Sequence, residues 1–241
     1  MKKIGFVIIL FTVGVLLVLN KTRLIKKYNV DLDKNLVRIL DNQKKIEIIK
    51  NKTEKKLKYN NLKYNISDIY EEKYNNDYLI YYNNYESDTK YSSCIKIGMY
   101  EDIYNNFYND EVTIYGDTLK KVDAKEVFKK NKINNNSDLQ KAMFNDYNIK
   151  TSVFTSLNKI KHNYLVKIIL NTIFPNSENE TLTIINGDFD GYMVNINNKV
   201  IEVHLNNSSD EEYVISFWNN SEVAFTEENV IEFIKNVEIL N

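Results

Sequence analysis

The densest group of side chains able to bind a ligand is the hexapeptide at residues 186–191, Asn-Gly-Asp-Phe-Asp-Gly. Oxygen-bearing side chains at its first, third and fifth positions and a glycine at its sixth match the start of an EF-hand calcium loop. The later ligand positions do not match, since the ninth is Val194 and the twelfth, where an EF-hand has glutamate, is Asn197. We therefore predict a turn between two strands, with calcium binding as the alternative, and no metal or cofactor site.

The chain has two histidines and one cysteine. Glu202 stands two residues from His204 and so shares its strand face, whereas His162 falls on a predicted helix. Metal binding and proton transfer usually need more than one such neighbour, and Cys94 lies in an apolar run without an identifiable base. There is also no G-x-S-x-G elbow, P-loop or dinucleotide-binding motif. We therefore predict no catalytic residue, and a non-enzymatic role is favoured.

Aromatic side chains are the best candidates for contact with a partner. Residues 59–115 hold thirteen of the eighteen tyrosines, and Trp218 is the only tryptophan. Tyrosine and tryptophan combine a large apolar area with a polar atom and are enriched in interfaces. We predict partner contacts at Trp218, Tyr78, Tyr81 and Tyr82. The alternatives are ordinary sheet packing for the tyrosines and a core position for Trp218.

Charge and composition exclude several classes of function. Beyond Lys27 the chain has 26 basic and 33 acidic residues, a net charge of −7, and only two arginines occur in the whole chain. Because arginine is the preferred residue for phosphate and base contacts, we expect no nucleic-acid partner. A single cysteine excludes an intramolecular disulfide and a cysteine-based zinc site.

The first 27 residues have the pattern of a membrane anchor. Residues 4–19 are sixteen consecutive positions without a charge, between two lysines and a basic stretch that starts at Lys21. A helix of that length extends roughly 24 Å, and Asn20 with snorkelling lysines extends it toward the roughly 30 Å of hydrocarbon. We predict a bilayer contact through residues 4–20. A cleaved signal peptide is the alternative, although the small residues of a cleavage site are missing.

Two signals for the orientation of this anchor oppose each other. Four basic residues follow the apolar run and two precede it, which favours a cytoplasmic C-terminal side. A short basic leader before an apolar run is, however, the form that export machinery handles. We predict a single-pass plasma-membrane protein whose soluble part lies outside the cytoplasm, in a bacterial cell envelope.

Downstream, the pattern predicts charged, strand-rich and helical segments in turn. Residues 28–58 favour an amphipathic juxtamembrane helix or stalk, with a strand pair as the alternative. Residues 59–120 predict tyrosine-rich strands at 78–82, 94–100 and 111–115. Residues 120–136 read as a polar connector, and residues 137–174 as a helical hairpin. Its first helix would be capped by Ser137 with Gln140, and its second would span 152–173.

The last third of the chain predicts a meander and a terminal helix. Apolar residues alternate in four strands over 181–218, and Asn197 with Asn198 suits a type I′ turn. Thr226 caps a helix within 226–241, whose end VEIL continues it or forms a closing strand. The predicted fold is α+β, with an N-terminal transmembrane helix and one domain over 59–241. In that domain the αα-hairpin packs on the antiparallel β-meander beside the C-terminal helix.

Three functions are compatible with this architecture. The favoured one is an anchored, extracytoplasmic binding or interaction domain with a protein partner. A membrane-tethered inhibitor or immunity-type protein is the alternative, because an acidic domain associates rapidly with a basic partner. An envelope hydrolase ranks last, since catalysis usually leaves a recognisable nucleophile, base or metal cluster.

Overall fold

A computed structural model describes residues 2–66, 70–75, 78–83, 94–100, 104, 122–174, 178, 180–206, 212–219 and 225–240. The fold is mixed α+β with a large, mainly antiparallel sheet. The helices in this part of the chain are α1 (Lys2–Lys27), α2 (Lys34–Asp41), α3 (Ala124–Asn131), α4 (Asn136–Asp146), α5 (Leu157–Ile173) and α6 (Glu227–Lys235). The strands are β1 (Lys44–Ile48), β2 (Leu57–Tyr59), β3 (Leu62–Tyr64), β4 (Tyr70–Asn75), β5 (Tyr78–Asn83), β6 (Cys94–Tyr100), β7 (Glu180–Gly187), β8 (Asp190–Ile196), β9 (Val200–Asn206), β10 (Glu212–Trp218) and β11 (Glu238–Ile239).

These elements form two compact units. Among the described residues, the first unit comprises 2–32, 122–134 and 141–174, and the second comprises the rest. The first unit is helical and the second contains all the strands named above, so each is described by itself.

In the first unit, the chain leaving α1 lies along α5. The Tyr28 ring meets the Tyr164 ring edge-on, with 5.4 Å between centroids. Further on, the Asn171 side-chain amide donates to the Asp31 carbonyl oxygen at 3.2 Å. Before this contact, the apolar side chains of α1 at 13 and 15–19 are between 42% and 64% exposed. Within the described residues, the structure has no helix of both the length and the apolar character needed to cross a membrane.

The helices of the predicted hairpin are present, but both begin at other residues than predicted. The Asn135 side-chain oxygen accepts from the Asp138 backbone N–H at 2.8 Å, so Asn135 caps α4 in place of Ser137. The Ser156 hydroxyl accepts from the Lys159 backbone N–H at 3.2 Å and starts α5 at residue 157 instead of 152. Asparagine and serine are both strong caps, and sequence alone does not separate neighbouring candidates.

The segment predicted as a polar connector over 120–136 contains a helix that was not predicted, α3. The Asp123 carboxylate accepts from the Glu126 backbone N–H at 2.9 Å and caps this helix. Ala124, Val127 and Phe128 form its buried face. Three apolar residues in one eight-residue helix are too short a pattern to stand out from a charged segment.

The single helix favoured over residues 28–58 is also wrong. The segment holds α2, an irregular turn and strand β1, whose alternating sequence was the basis of the strand alternative. The Asp33 carboxylate caps α2 by accepting from the Asn35 backbone N–H at 2.8 Å. Strand β1 pairs in parallel with β7, a long-range contact that local periodicity does not encode.

The main sheet of the second unit has eight strands in the order β1-β7-β8-β9-β10-β6-β5-β4. Strands β7 to β10 form the antiparallel meander predicted over 181–218, which is confirmed. Asn197 and Asn198 both have φ of 55°, as a type I′ turn requires. The predicted strands at 78–82 and 94–100 are confirmed as β5 and β6, and the one at 111–115 lies outside the described residues.

One face of this sheet, here called the first face, forms the main core of the second unit. It is covered by α6 and by a small sheet of order β11-β3-β2. Thr226 caps α6 together with Asn229, and β11 is the closing strand foreseen as one of two options. The buried side chains of the first face include Ile185, Met193, Val203, Ile215, Ile97 and Leu79.

Candidate functional site

The opposite face of the main sheet, here called the second face, carries the polar and aromatic groups that could recognise a ligand. Side chains directly opposite each other on paired strands share a face, so the register assigns them. Three lines of such side chains cross the central strands of the second face. The first line contains Tyr192, His204, Val214 and Tyr78, and the second contains Val194, Glu202, Ser216 and Lys96. The third line contains Val200, Trp218 and Cys94.

A buried ion-pair geometry lies at the centre of the second face. His204 Nδ1 and Glu212 Oε1 are 2.6 Å apart, from β9 to the neighbouring β10. The Glu212 carboxyl is fully buried and the His204 side chain is 14% exposed. His204 Nδ1 and the Glu212 carboxyl share this hydrogen bond, so Glu212 fixes the position of that ring nitrogen.

The ring of Tyr192 stacks on the imidazole ring of His204. The Tyr192 and His204 rings are parallel within 8° and their centroids are 4.3 Å apart. Stacking from β8 and hydrogen bonding from β10 hold the imidazole in one orientation. The three strands are thereby tied across the second face, which gives the pair a structural role in addition to any chemistry.

Beside this pair, a row of polar side chains crosses the same three strands. Asn206 lies directly between Asp190 and Glu212 in the register. Both amide atoms of Asn206 and Oε2 of Glu212 are buried, and no hydrogen-bond partner for them exists among the described residues. Asp190 is bound by Ser137, whose hydroxyl donates to Oδ2 at 2.6 Å. The row can bind water or a small polar group, because unpaired buried polar atoms are costly.

Two carboxylates lie farther along the second face. Ser216 donates a hydrogen bond to Glu202 Oε1 at 3.4 Å. Burial and then the negative charge of Glu202 raise the pKa of Glu180. Glu202 is diagonal to Trp218 in the register, at a separation of roughly 7–8 Å between such positions. Two acidic side chains therefore lie in this region of the second face.

The exposed part of the second face contains two of the predicted contact residues. Trp218 ends β10 with 47% of its surface exposed, between Val200 and Cys94. Tyr78 is half-buried, and the Lys96 ammonium lies 3.7 Å from its ring centroid. Lys96 lies between the two aromatic residues in the register, so Trp218 and Tyr78 face the same way without touching.

The other two predicted contact residues, Tyr81 and Tyr82, are not part of this exposed surface in the described structure. Tyr81 belongs to the first face and is 3% exposed, so it is a core residue and not a surface contact. Its hydroxyl lies 2.9 Å from that of Tyr64, and burial raises the pKa of Tyr64 to about 12. Tyr82 alternates with Tyr81 and stands opposite Cys94 in the register, but its side chain is outside the described part of the structure.

The hexapeptide at 186–191 is a turn between β7 and β8, with strands on both sides. Gly187 has φ of 107°, a conformation that glycine adopts readily. Asp188 Oδ2 accepts from the Lys50 backbone N–H at 2.7 Å, and the Asp188 backbone N–H donates to the Ile48 carbonyl at 2.9 Å. The Asp188 carboxylate thus ties this turn to the end of β1. Across the described residues, no three His, Cys, Asp or Glu side chains are grouped to hold a metal ion.

The remaining candidates of the sequence have local partners. His162 is buried in the first unit, where its Nε2 lies 2.8 Å from Asp146 Oδ2. Burial raises the pKa of the Cys94 thiol to about 11, although the charge of Lys96 acts against this. From the sequence, Glu202 was the candidate neighbour of His204, because it lies two residues away on the same strand face. The structure shows that Glu212 is the carboxylate that contacts His204. Glu212 lies eight residues along the chain and is brought close only by the β9–β10 register.

Family models, curated proteins and solved structures were compared with this chain, and none of the three comparisons gives a match.

Proposed function

We propose that this chain is a membrane-held, non-enzymatic binding protein whose second face, around Trp218, contacts a protein partner outside the cytoplasm. The observation that carries the proposal is the exposure of Trp218, 47% of which is open on a strand that is otherwise buried. Tryptophan is usually well buried in monomers and is enriched among residues that dominate binding energy. An exposed tryptophan on a rigid strand is a preorganised contact.

Membrane attachment is supported by the apolar run of α1. Residues 4–19 contain no charge, and the apolar side chains at 13 and 15–19 are exposed along the helix. A helix that is apolar all round requires burial in protein or in lipid. We propose that residues 4–20 lie in the bilayer as a single-pass anchor and that the basic residues from Lys21 onward stay at its surface.

The charges of the second face support a basic partner. Glu180 and Glu202 repel each other there, and Glu202 lies diagonal to Trp218. A lysine or arginine of the partner set against Glu202 would relieve this repulsion while Trp218 enters an apolar pocket. The same charges favour a second candidate, a membrane-tethered inhibitor or immunity-type protein that neutralises a basic toxin or envelope enzyme.

The proposal is tested by site-specific photocrosslinking in intact cells. A benzophenone amino acid placed at Trp218 should capture one discrete partner, and the same group at Ile49, which is 71% exposed, should not. Glu202→Lys should reduce the capture at Trp218 at least about tenfold, because it replaces attraction by repulsion. The matched control is Glu47→Lys, the same charge change at an exposed position of β1, the edge strand of the sheet.

Capture that is equal at Trp218 and Ile49 would refute the contact surface. If Glu202→Lys and Glu47→Lys leave equal capture at Trp218, the partner is not basic, but the contact surface around Trp218 still stands.

A further inference from the structure

Phe154 is the most exposed large apolar side chain among the described residues, with 94% of its surface open. It lies in the first unit, in the turn that precedes α5. Leu157, at the start of that helix, is 39% exposed and lies three residues further on. Two neighbouring exposed apolar side chains at a turn tip form a contact feature and not isolated surface residues.

Four backbone groups of the turn that carries Phe154 are paired within the turn. The Thr155 hydroxyl accepts from the Ser152 backbone N–H at 2.8 Å, and the Thr155 backbone N–H donates to the Ser152 carbonyl at 2.9 Å. The Ser152 hydroxyl accepts from the Phe154 backbone N–H at 3.3 Å. A tip with internally paired backbone groups enters a low-dielectric interface at little cost.

The segment that follows α1 contacts α5, and this contact brings the end of α1 near the turn. Moving along the chain, Tyr28 meets Tyr164 first and Asp31 meets Asn171 afterwards, so the chain travels toward the C-terminal end of α5. From Tyr164 back to residue 157 is about 11 Å of helix. The start of α5, and with it the turn at 152–155, therefore lies near the residue that follows α1.

The charges around the turn fit an anionic surface. Lys150 and Lys159 flank Phe154 in sequence and are exposed. Lys21 and Arg23 follow the apolar run of α1 in the sequence. Lysine and arginine beside inserted apolar side chains are the pattern of proteins that bind the interface of a membrane with anionic lipids.

We infer that the turn at 152–155 is a second membrane contact, in which Phe154 and Leu157 enter the lipid interface beside α1 and Lys150 and Lys159 bind anionic headgroups. The inference rests on the membrane attachment proposed above, and it adds the orientation of the first unit. Two contacts instead of one fix how that unit stands on the bilayer.

The test uses tryptophan fluorescence of the full chain in vesicles of phosphatidylcholine and phosphatidylglycerol. In a Trp218→Phe background, Phe154→Trp provides a single reporter at a position with room for it. Phosphatidylcholine brominated near the headgroup end of its acyl chains should quench this reporter about twofold, and omission of phosphatidylglycerol should weaken the quenching. Ile49→Trp in the same background is the exposed control and should not be quenched.

A third reporter separates failure of this inference from failure of the anchor. Leu16→Trp lies within the apolar run of α1 and should be quenched strongly if the helix is in lipid. Quenching at Leu16→Trp without quenching at Phe154→Trp would overturn the inference and leave the anchor standing. It would assign the exposed Phe154 to another partner, such as a protein. Absence of quenching at both positions would overturn the anchor as well.

Discussion

Glu212 is the residue on which the second face depends most. Its carboxyl is fully buried, with one oxygen on His204 and the other without a partner among the described residues. A buried charge loses its hydration, and only a well-placed partner offsets that loss. Removing one member of such a pair takes from the other the contact that offset its burial, and this costs more than the original interaction contributed.

We therefore predict that Glu212→Ala lowers the free energy of unfolding by about 3 kcal/mol, because His204 loses its buried partner. Urea unfolding of the full chain in detergent micelles measures the change. Glu47→Ala, which removes an exposed carboxylate from β1, should change stability by less than about 0.5 kcal/mol. Equal losses in the two variants would contradict the role assigned to the His204–Glu212 pair.

Cys94 gives a second prediction at the scale of one residue. Because burial raises the pKa of its thiol to about 11, very little thiolate exists near neutral pH. Iodoacetamide at pH 8 should alkylate it roughly 100-fold more slowly than an exposed thiol, with a rate that climbs until about pH 11. Ile49→Cys in a Cys94→Ser background is the exposed reference. Matching rates for the two cysteines would show that Cys94 is not shielded.

Among the elements, α6 is held to the sheet through its first residue. Burial acts to raise the pKa of Glu227, but hydrogen bonds from Asn195, Lys44 and Thr181, each 3.2 Å, lower it overall. The carboxylate also lies at the positive end of the helix. The pKa of Glu227 is lower in the folded protein than in the unfolded chain. The Glu227 carboxylate therefore stabilises the fold at a pH above the unfolded-chain pKa, and this contribution is lost as the pH falls through the folded-state pKa.

Glu227→Gln should accordingly cost about 1 kcal/mol at pH 7. The difference from the unchanged protein should shrink as the pH falls below the pKa of an unfolded glutamate, about 4.3, and should vanish only below the lower pKa of the folded protein. Urea unfolding across this pH range tests it. A difference between the two proteins that grows on acidification would reverse the sign assigned to Glu227.

Some helices and strands could be predicted from local sequence and others could not. The meander was predictable because alternation with period two is contained within each strand, and Asn197 with Asn198 marks its turn. The parallel pairing of β1 with β7 was not predictable, because it joins strands that lie far apart in the chain. Helix α3 was missed for another reason, since its apolar face is only three residues.

The candidate site was predictable only in part. Trp218 and Tyr78 were selected for their residue type, and the structure gives both of them surface on the second face. Tyr81 was selected for the same reason but belongs to the core, because the two faces of a strand are told apart by packing and not by a tyrosine-rich sequence. The His204–Glu212 pair depends on cross-strand register, which no spacing along the chain shows.

At the scale of the whole molecule, we propose separate tasks for its parts. In this proposal the apolar run of α1 attaches the chain to the membrane, and the second face of the main sheet recognises a basic partner. The net charge of −7 beyond Lys27 supports such recognition, because long-range attraction raises the rate of association. Steering of this kind weakens with salt, so capture through Trp218 should decline as ionic strength rises.

The most direct test of the account is the location of the second unit relative to the membrane. A single cysteine is introduced as Ile49→Cys in a Cys94→Ser chain, and intact cells are treated with a membrane-impermeant maleimide before carbonate-washed membranes are recovered. The account predicts labelled protein in those membranes without lysis. Labelling that requires lysis, or labelled protein that leaves the membranes in the wash, would contradict a binding domain held at the outer surface.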